Sequence, residues 1–423
     1  MRIAVIGTGI AGNTAAAALC REHDICVYEQ AAHVGGHTHT HDIDFDGERL
    51  AVDTGFIVFN HRTYPRFSAM LEALGVESQE SPMSFSVRNA ASGLEYNGTD
   101  LNGLFAQRRN LLRPSFLGMI REILRFNREA PALVDAPGAA EPSLGDVLAA
   151  GRYGRRFIED YLLPMGAAIW STDPARMLDF PARFFVRFLL NHGMLSIDDR
   201  PVWRTVRGGS ARYVERLIQP FRERIRSATP VEWIRRLPAG VIVKARGLAP
   251  ESFDAMFLAC HADQALALLA DPSDTERAVL GALPYQENEA VLHTDTSLLP
   301  FSRRAWAAWN YHAGGDGGPM ALTYNMNILQ CLPSRHTWCV TLNRSEAIDP
   351  RRVVCRIVYH HPLFTPAGVA AQARQRELNR ARTYYCGAYW RYGFHEDGLQ
   401  SAVDALAHFA ENLGAQRDLS RVA

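Results

Sequence analysis

The chain begins with a short apolar stretch that runs directly into a glycine-rich turn and then an alanine-rich stretch, RIAVIGTGIAGNTAAAALC. The turn is a GxGxxG formed by Gly7, Gly9 and Gly12, with Ile10 and Ala11 before the last glycine. Glycines at this spacing let the backbone turn tightly, approach a pyrophosphate and pack a helix on a strand. The helix N-terminus that follows favours negative charge. On its own, this motif is also compatible with a plain helix-packing turn.

A second apolar stretch, DICVYE, ends at Glu29. A carboxylate at the end of the second strand accepts hydrogen bonds from ribose hydroxyls in dinucleotide-binding domains. Strand, turn, helix and strand in this order form a parallel βαβ unit. Together these features predict a Rossmann-type dinucleotide-binding domain at the N-terminus.

The composition is that of a soluble globular protein long enough for two domains. The chain has 423 residues, of which 47% are hydrophobic and 21% charged, and the net charge of zero gives no basic field that favours nucleic acid. The seven cysteines have no CxxC spacing, which argues against a disulfide framework or a zinc site and favours a reduced, cytoplasmic protein. No signal-peptide pattern is found, and no apolar stretch reaches the roughly 18 residues of a membrane-spanning helix.

Hydrophobic periodicity divides the chain into two interleaved parts. Residues 42–59 alternate around Asp46-Gly47, which is typical of a hairpin, and residues 101–191 follow a helical, arginine-rich pattern with a break at DAPGAAEPSLGD. Residues 285–345 are typical of antiparallel strands rich in aromatic side chains. The predicted domains are a dinucleotide-binding part over 1–90, 203–285 and 372–423 and a substrate-binding part over 91–202 and 286–371.

The loop after Glu29 contains Gly35-Gly36-His37 and leads into a segment that ends at Asp53-Thr54-Gly55. This order resembles the flavin amine oxidase and phytoene desaturase superfamily, which has GxGxxG, a strand-terminal Glu, a GGR-type loop against the pyrophosphate and flavin, and a later DxG. The resemblance implies that the cofactor is FAD. The sequence departs from it at His37, where an imidazole replaces the family arginine. The FAD-binding residues implied in this region are Gly7, Gly9, Ile10, Ala11, Gly12, Glu29, Gln30, Gly35, Gly36, His37, Thr38, Asp53, Thr54 and Gly55.

Later segments carry the same resemblance. PVEWIRRL resembles the strand that contacts adenine through its backbone, which places Val231 there, and GGSARYVERL resembles the family's glycine-pair-plus-helix segment. The C-terminal CGAYWRYGFHEDGLQSA resembles the second flavin motif, whose helix N-terminus stabilises anionic reduced flavin. The contacts implied there are Gly387, Ala388, Gly398, Leu399 and Ser401. The implied fold is α/β, with a glutathione-reductase-like FAD-binding domain of the amine oxidase type interleaved with an α+β substrate domain that contains a helical insertion.

Long strings such as VDTGFIVFN and TYNMN are similar to a bacterial group described as predicted NAD/FAD-binding proteins within that superfamily. Members often accompany cyclopropane-fatty-acyl-synthase-like methyltransferases, which implies a desaturase-like oxidoreductase acting on a lipid acyl chain. Flavin amine oxidases typically hold a lysine near the flavin, and the single lysine here, Lys244, follows the adenine-side strand. Oxidation of an amine or another small metabolite and flavin-dependent isomerisation remain alternatives.

Three residues are candidates for the chemical step. His395 beside Glu396 suits a base and its orienting partner, or alternatively a residue that positions the flavin. Asn310 and Tyr324 are polar or hydroxyl-bearing residues among aromatic side chains that line a hydrophobic tunnel or, alternatively, form ordinary core. The sequence does not identify the electron acceptor, for which dioxygen, a quinone and another protein are all suitable.

Alternate histidines in GGHTHTH suit zinc as an isolated string, but they lie in the loop implied to contact FAD, so we predict no metal site.

Residues 101–128 combine arginines with leucine, phenylalanine and isoleucine and contain one acid, Glu122. Such a basic amphipathic region either makes a peripheral contact with an anionic membrane, on its cytoplasmic face, or packs on its own domain with its arginines in solvent. The arginines concerned are Arg108, Arg109, Arg113, Arg121, Arg125 and Arg128.

Overall fold

The computed structural model describes residues 1–135, 141–196, 198–313 and 321–414, so part of the predicted break at DAPGAAEPSLGD lies outside the described residues. The strands are β1 (Arg2–Ile6), β2 (Asp24–Tyr28), β3 (Thr40–Phe45), β4 (Glu48–Asp53), β5 (Val58–Asn60), β6 (Ser78–Glu80), β7 (Phe85–Asn89), β8 (Leu94–Asn97), β9 (Trp203–Val206), β10 (Ile225–Arg226), β11 (Val231–Leu237), β12 (Gly240–Ala245), β13 (Glu251–Phe253), β14 (Ala255–Leu258), β15 (Tyr285–His293), β16 (Trp309–Ala313), β17 (Ala321–Asn325), β18 (Cys339–Leu342), β19 (Val353–Pro362) and β20 (Thr383–Tyr385).

The α-helices are α1 (Ile10–Leu19), α2 (Pro65–Ala73), α3 (Leu101–Leu104), α4 (Pro114–Glu129), α5 (Ala132–Asp135), α6 (Leu144–Ala150), α7 (Arg155–Phe157), α8 (Leu163–Trp170), α9 (Pro174–Met177), α10 (Ala182–Asn191), α11 (Ala211–Leu217), α12 (Ala262–Leu268), α13 (Asp274–Leu280), α14 (Met326–Leu329), α15 (Pro366–Gln372), α16 (Gln375–Leu378) and α17 (His395–Asn412). Short 3₁₀ turns and one π-helical turn, Ile158–Leu162, connect several of them. Among the described residues, no helix combines the length and the apolar character needed to cross a membrane.

The first sheet is parallel and has the order β10-β2-β1-β14-β20. The strands β1 and β14 are apolar along nearly their whole length, as expected where both faces of a parallel sheet are covered. Ile3 and Val5 of β1 pack against α1 and α17, whereas Ala4 and Ile6 pack towards the antiparallel sheet β11-β12-β13. Because the five strands are parallel, their carboxyl ends all lie at the same edge of the sheet. The predicted Rossmann-type domain is thus confirmed.

The second large sheet has seven strands in the order β19-β15-β18-β17-β16-β7-β8. Its pairs are antiparallel except for β16 with β7. Its apolar residues share one core with the helical region over residues 101–191, including Phe116 of α4 and Phe185 of α10. The helical insertion and the aromatic-rich sheet thus form as predicted. Strand β7 belongs to this sheet, although the predicted boundary at residue 90 put it in the dinucleotide-binding part.

The predicted hairpin is formed by β3 and β4, which pair antiparallel from Thr40 with Asp53 to Phe45 with Glu48. Asp46 and Gly47 both have positive φ angles, 50° and 78°, as the tight two-residue turn of a right-twisted hairpin requires. The hairpin brings Asp53 back beside the glycine-rich loop.

Candidate functional site

A cavity of about 1060 Å³ lies where the carboxyl ends of the parallel strands meet the second sheet and the helical insertion. This volume is slightly above the range of roughly 300–1,000 Å³ typical of small-molecule sites, which leaves room for a dinucleotide and a substrate together. Open parallel sheets bind ligands beyond the carboxyl ends of their strands. The position of the cavity therefore matches a dinucleotide site.

The GxGxxG turn forms one wall of the cavity. Gly7 has a φ of 103°, and a Cβ there would lie 2.8 Å from the carbonyl oxygen of Ala259, so this position requires glycine. A Cβ on Gly12 would lie 2.0 Å from the carbonyl oxygen of Gly7, because α1 packs directly on the turn. At Gly9 a Cβ would meet nothing within 4 Å, and Gly9 lines the cavity. The turn is thus closed towards the protein and open towards a ligand.

Glu29 lines the cavity from the end of β2 and is buried. One carboxylate oxygen accepts from the backbone N–H and the hydroxyl of Thr8 at 3.0 and 2.5 Å, and the other accepts from the backbone N–H of Ala31 at 2.8 Å. A carboxylate offers about four acceptor positions, so one remains for a ribose hydroxyl. Glu29 also links the glycine turn to β2, a second role that the sequence did not indicate.

The glycine pair holds the next loop against the turn. Gly36 has a φ of 60°, and a Cβ there would lie 2.9 Å from the Cα of Gly9. The N–H of Gly35 points to the hydroxyl of Thr8 at 3.2 Å. Gly36 lines the cavity, whereas Gly35, with a φ of 139°, shapes the loop behind it.

A group of histidines surrounds His37 at this end of the cavity. The ring of His37 lies 6.0 Å from the ring of His261, which follows β14, and 5.4 Å from the ring of His361 on β19. Burial, together with the neighbouring histidines, lowers the pKa of His37 to about 3, of His261 to about 4 and of His361 to about 3. The Nε2 atom of His37 has no hydrogen-bond partner among the described residues.

These features fit the pyrophosphate of a dinucleotide such as FAD. The glycine turn is open on the cavity side, a helix N-terminus follows it, and the Nε2 atom of His37 is free of any partner in the part of the chain that the structure describes. A nearby phosphate would favour protonation of the imidazoles. His37 and His261 would hold the phosphates, and Glu29 the ribose.

The C-terminal motif forms another wall, where α17 begins with His395 in the cavity. The Nε2 atom of His395 lies 2.6 Å from the hydroxyl of Tyr213 and 3.3 Å from that of Thr38, and the ring stacks on Phe56 at 3.7 Å. Burial lowers the pKa of His395 to about 3. A ring held neutral in this way is a weak base at neutral pH, which favours a hydrogen-bonding role over proton abstraction.

The rest of the cavity is mainly apolar and aromatic. Trp170, Phe188 and Met165 come from the helical insertion, and Trp309 and Tyr324 come from the second sheet, where their rings meet edge to face at 5.2 Å. Among the described lining residues, those with a formal charge at neutral pH are Glu29 at the dinucleotide end and the exposed Glu80 and Arg200. Tyr324 is therefore at the cavity, as predicted.

Asn310 is not at the cavity. Its side chain accepts from the Ser86 hydroxyl at 2.9 Å and donates to the carbonyl oxygens of Ala307 and Thr323 at 2.6 and 3.0 Å. The amide is buried and fully engaged within the second sheet, so the structure contradicts the predicted catalytic role. Lys244 lies on β12 and donates to the carbonyl of Leu248, away from the cavity lining.

Several predicted cofactor residues lie one layer behind the cavity wall. Asp53 is fully buried and accepts from both the N–H and the hydroxyl of Ser210, at 3.0 and 2.8 Å, which joins β4 to α11, and burial raises its pKa to about 6. The Ser401 hydroxyl accepts from the N–H of Gly387 at 2.8 Å. The predicted residues outside the described lining are Gly12, Gly35, Thr38, Asp53, Thr54, Gly398, Leu399 and Ser401, and those in it are Gly7, Gly9, Ile10, Ala11, Glu29, Gln30, Gly36, His37, Gly55, Val231, Gly387 and Ala388.

Other lining residues were missed by the sequence analysis. Thr8 bridges Glu29 and Gly35 through one hydroxyl, and its place inside GxGxxG was the available signal. His261 follows the apolar strand AMFL, so the sequence could have predicted that it lies at the carboxyl edge of the parallel sheet. His360 and His361 reach the cavity from β19, and no local pattern indicates that.

Comparisons with known proteins agree with this architecture. Residues 5–74 match the NAD(P)-binding Rossmann-like domain family. No curated protein matches the chain significantly. Among solved structures, cyclohexylamine oxidase from Brevibacterium oxydans IH-35A is similar with a TM-score of 0.71 and 15% identity, over 98% of this chain and 99% of that one.

Two further structures with different names share the fold. The CLA-producing fatty acid isomerase from P. acnes has a TM-score of 0.66 at 15% identity, over 96% of this chain and 98% of that one. Reduced UDP-galactopyranose mutase also has a TM-score of 0.66 at 15% identity, over 100% of this chain and 97% of that one. The chain therefore shares its fold with these three structures, one of which is an amine oxidase as the sequence resemblance predicted, and its residues 5–74 form a Rossmann-like dinucleotide-binding domain.

Proposed function

We propose that this protein is an FAD-dependent oxidoreductase that transfers hydride between the flavin and a hydrophobic acyl chain, as a desaturase or dehydrogenase. The observation that carries the proposal is the division of one cavity into two chemically different ends. The GxGxxG turn, Glu29 and the histidines suit a dinucleotide, and aromatic and aliphatic side chains form most of the remainder.

An apolar substrate suits a wall with so little charge. A small ammonium substrate would be stabilised by a buried carboxylate close to the flavin, but Glu80, the acid in the described lining besides Glu29, is exposed. Arg200, also at the lining, offers a guanidinium for a carboxylate or phosphate head group. The position of Lys244 on β12 argues further against a lysine-assisted amine oxidase.

When bound, FAD would supply the two-electron acceptor for a hydride from one carbon of the chain, while a water molecule in the cavity would take the proton from the neighbouring carbon. The apolar wall would exclude bulk water and hold the chain extended. Tyr324 lines this wall, and burial raises the pKa of its hydroxyl well above the usual range, so the residue stays neutral. Its hydroxyl is suited to pass a proton or to orient a water molecule.

The test is to purify the protein, confirm the flavin by its absorption spectrum, and follow flavin reduction anaerobically. We expect detergent-dispersed phospholipid or fatty acid to bleach the flavin, with a new double bond in the product by mass spectrometry. Bleaching by an amine panel alone would refute the acyl-chain substrate. The similarity to a fatty acid isomerase makes mass-neutral isomerisation without net bleaching the second outcome to look for.

A matched pair of variants tests the cavity wall. Tyr324→Phe removes one hydroxyl from the lining, whereas Tyr311→Phe removes one from the neighbouring strand, away from it. If the Tyr324 hydroxyl moves the proton, Tyr324→Phe slows reduction by roughly 10²-fold. Flavin content and thermal stability should match those of Tyr311→Phe, and an unchanged reduction rate would assign Tyr324 to packing.

A further inference from the structure

The surface of residues 101–124 exposes five leucines close together in sequence. Two of them are nearly free of protein contact, with Leu112 exposed to 88% and Leu101 to 75%. Single exposed leucines are ordinary on protein surfaces, but several on adjoining elements are not. We call this the arginine–leucine surface, and its leucines are Leu101, Leu111, Leu112, Leu117 and Leu124.

Helix α4 is amphipathic, and its leucine-bearing face is turned away from the core. Phe116, Met119 and Phe126 are buried against the helical insertion. Leu117, Arg121, Leu124 and Arg128 recur at spacings of three and four residues, so they lie on one face, and all four are exposed. The outer face of α4 therefore alternates apolar and cationic side chains.

The arginines of α4 divide into two groups. Arg125 turns inward, where it lies within 4 Å of Glu122 and Glu129 and covers the ring of Tyr153. Arg121, on the outward face, has no carboxylate partner among the described residues. Arg108, Arg109 and Arg113, just before α4, likewise have none among the described residues, and Arg108 and Arg109 reach only amide oxygens. Arg128, by contrast, pairs with Glu129 at 3.2 Å. The outward arginines whose charge is not neutralised among the described residues are therefore Arg108, Arg109, Arg113 and Arg121.

The surface adjoins the mouth of the cavity. Gly98 and Thr99 line the cavity and are exposed, so the cavity reaches the surface here, and α3 begins two residues later at Leu101. The same part of the lining includes Tyr96, whose hydroxyl donates to the backbone of Asp160. A flat ligand that covered Leu101 would lie beside the entrance.

We propose that the arginine–leucine surface docks on an anionic lipid bilayer, with the leucines inserted among the acyl chains and the outward arginines against the phosphates. Charge complementarity favours this occupant, because unneutralised arginines between exposed leucines match the layered charge of a lipid interface. A protein partner would instead need acidic side chains at positions that match those of the arginines. The docking is independent of the reaction proposed above and would also bring the cavity mouth to the membrane.

The experiment is co-sedimentation of the flavin-loaded, full-length protein with vesicles of phosphatidylglycerol mixed with phosphatidylcholine, and with phosphatidylcholine alone. We expect at least about tenfold stronger binding to the anionic vesicles, because each arginine near such a surface contributes to attraction. Raising the salt concentration should weaken it. Equal binding to both vesicle types, or binding that salt leaves unchanged, would overturn the proposal.

The matched variants exchange one leucine and one arginine on two different surfaces. Leu117→Ser with Arg121→Gln alters the outer face of α4, and Leu237→Ser with Arg235→Gln alters an exposed edge of β11. We expect the α4 variant to lose about tenfold in vesicle affinity and the β11 variant to keep the affinity of the wild type. Equal loss in both variants would refute docking through this surface.

Two additional readouts separate the possibilities. Flavin content and bleaching by detergent-dispersed substrate should be the same in the α4 variant and the wild type, so failure of the proposed reaction would leave the vesicle result intact. Size-exclusion chromatography tests whether the surface instead binds a second copy of the chain. If the wild type self-associates but does not bind vesicles, and the α4 variant is monomeric, the surface is a dimer contact and the proposal is overturned.

Discussion

Gly36→Ala tests whether the glycine pair is needed for cofactor binding. Gly36 has a φ of 60°, so an alanine there costs about 1–2 kcal/mol of backbone strain. In addition, the Cβ of the new alanine would lie 2.9 Å from the Cα of Gly9. That Cα is a backbone atom of the glycine turn in the cavity wall. Since nothing flexible can give way, the loop and the turn must move apart by a few tenths of an ångström or more.

Gly47→Ala is the control because it separates strain from displacement. Gly47 has a φ of 78° in the β3–β4 turn, but a Cβ there would meet nothing within 4 Å. Both variants therefore carry a similar conformational cost of about 1–2 kcal/mol, and only Gly36→Ala shifts the cofactor wall. The expected difference lies in cofactor affinity rather than in stability alone.

The assay is titration of the apoprotein with FAD, followed by quenching of flavin fluorescence, together with urea unfolding of the apoprotein. Misplacement of a binding wall by about 0.5 Å is enough to disturb a preorganised site. We expect the Kd for FAD to rise at least about tenfold in Gly36→Ala, which corresponds to about 1.4 kcal/mol, and to stay unchanged in Gly47→Ala. Equal FAD affinity in the two variants would show that the loop does not contact the cofactor.

Three further changes have defined outcomes. His39→Gln and His41→Gln should leave flavin content unchanged, because these histidines contact Tyr359 and Thr54 rather than the cavity; loss of flavin on isolation would place them at the cofactor. Burial lowers the pKa of His293 to about 4, below the usual 6.5, so unfolding takes up a proton between these values and stability falls as the pH drops through that window. His293→Gln should flatten this dependence by about 1.4 kcal/mol per pH unit in urea titrations, and an unchanged slope would contradict the shift. His395→Gln should keep flavin bound and lower the reduction rate without moving its pH profile, whereas loss of an inflection would identify His395 as the base.

Local features of the sequence predicted the dinucleotide end of the site well. The spacing of Gly7, Gly9 and Gly12 and the position of Glu29 are fixed by one βαβ unit, so neighbouring residues carry all the information needed. Asp53 was placed in the right region, but its contact with Ser210 depends on how β4 meets α11, some 157 residues further along the chain. The sequence indicates that such a residue is near the cofactor without indicating which layer it occupies.

The second sheet was harder to interpret because alternation does not reveal which face is buried. Asn310 and Tyr324 lie on adjacent strands, β16 and β17, yet only Tyr324 reaches the cavity. The amide of Asn310 instead satisfies backbone groups inside the sheet, as buried polar groups must. Likewise, His361 meets His37 only because β19 crosses the cavity, which is a property of the folded chain.

The interleaving of the parallel sheet has a consequence for biosynthesis. During synthesis the central strand β1 precedes its neighbour β14 by some 250 residues, and β20 and α17 follow later still. Domains generally form as units during synthesis, and contacts between distant segments are slow to form. The cofactor site is therefore complete only after α17 has been translated, so the β14-facing edge of β1 must stay unpaired, without aggregating, until β14 is made.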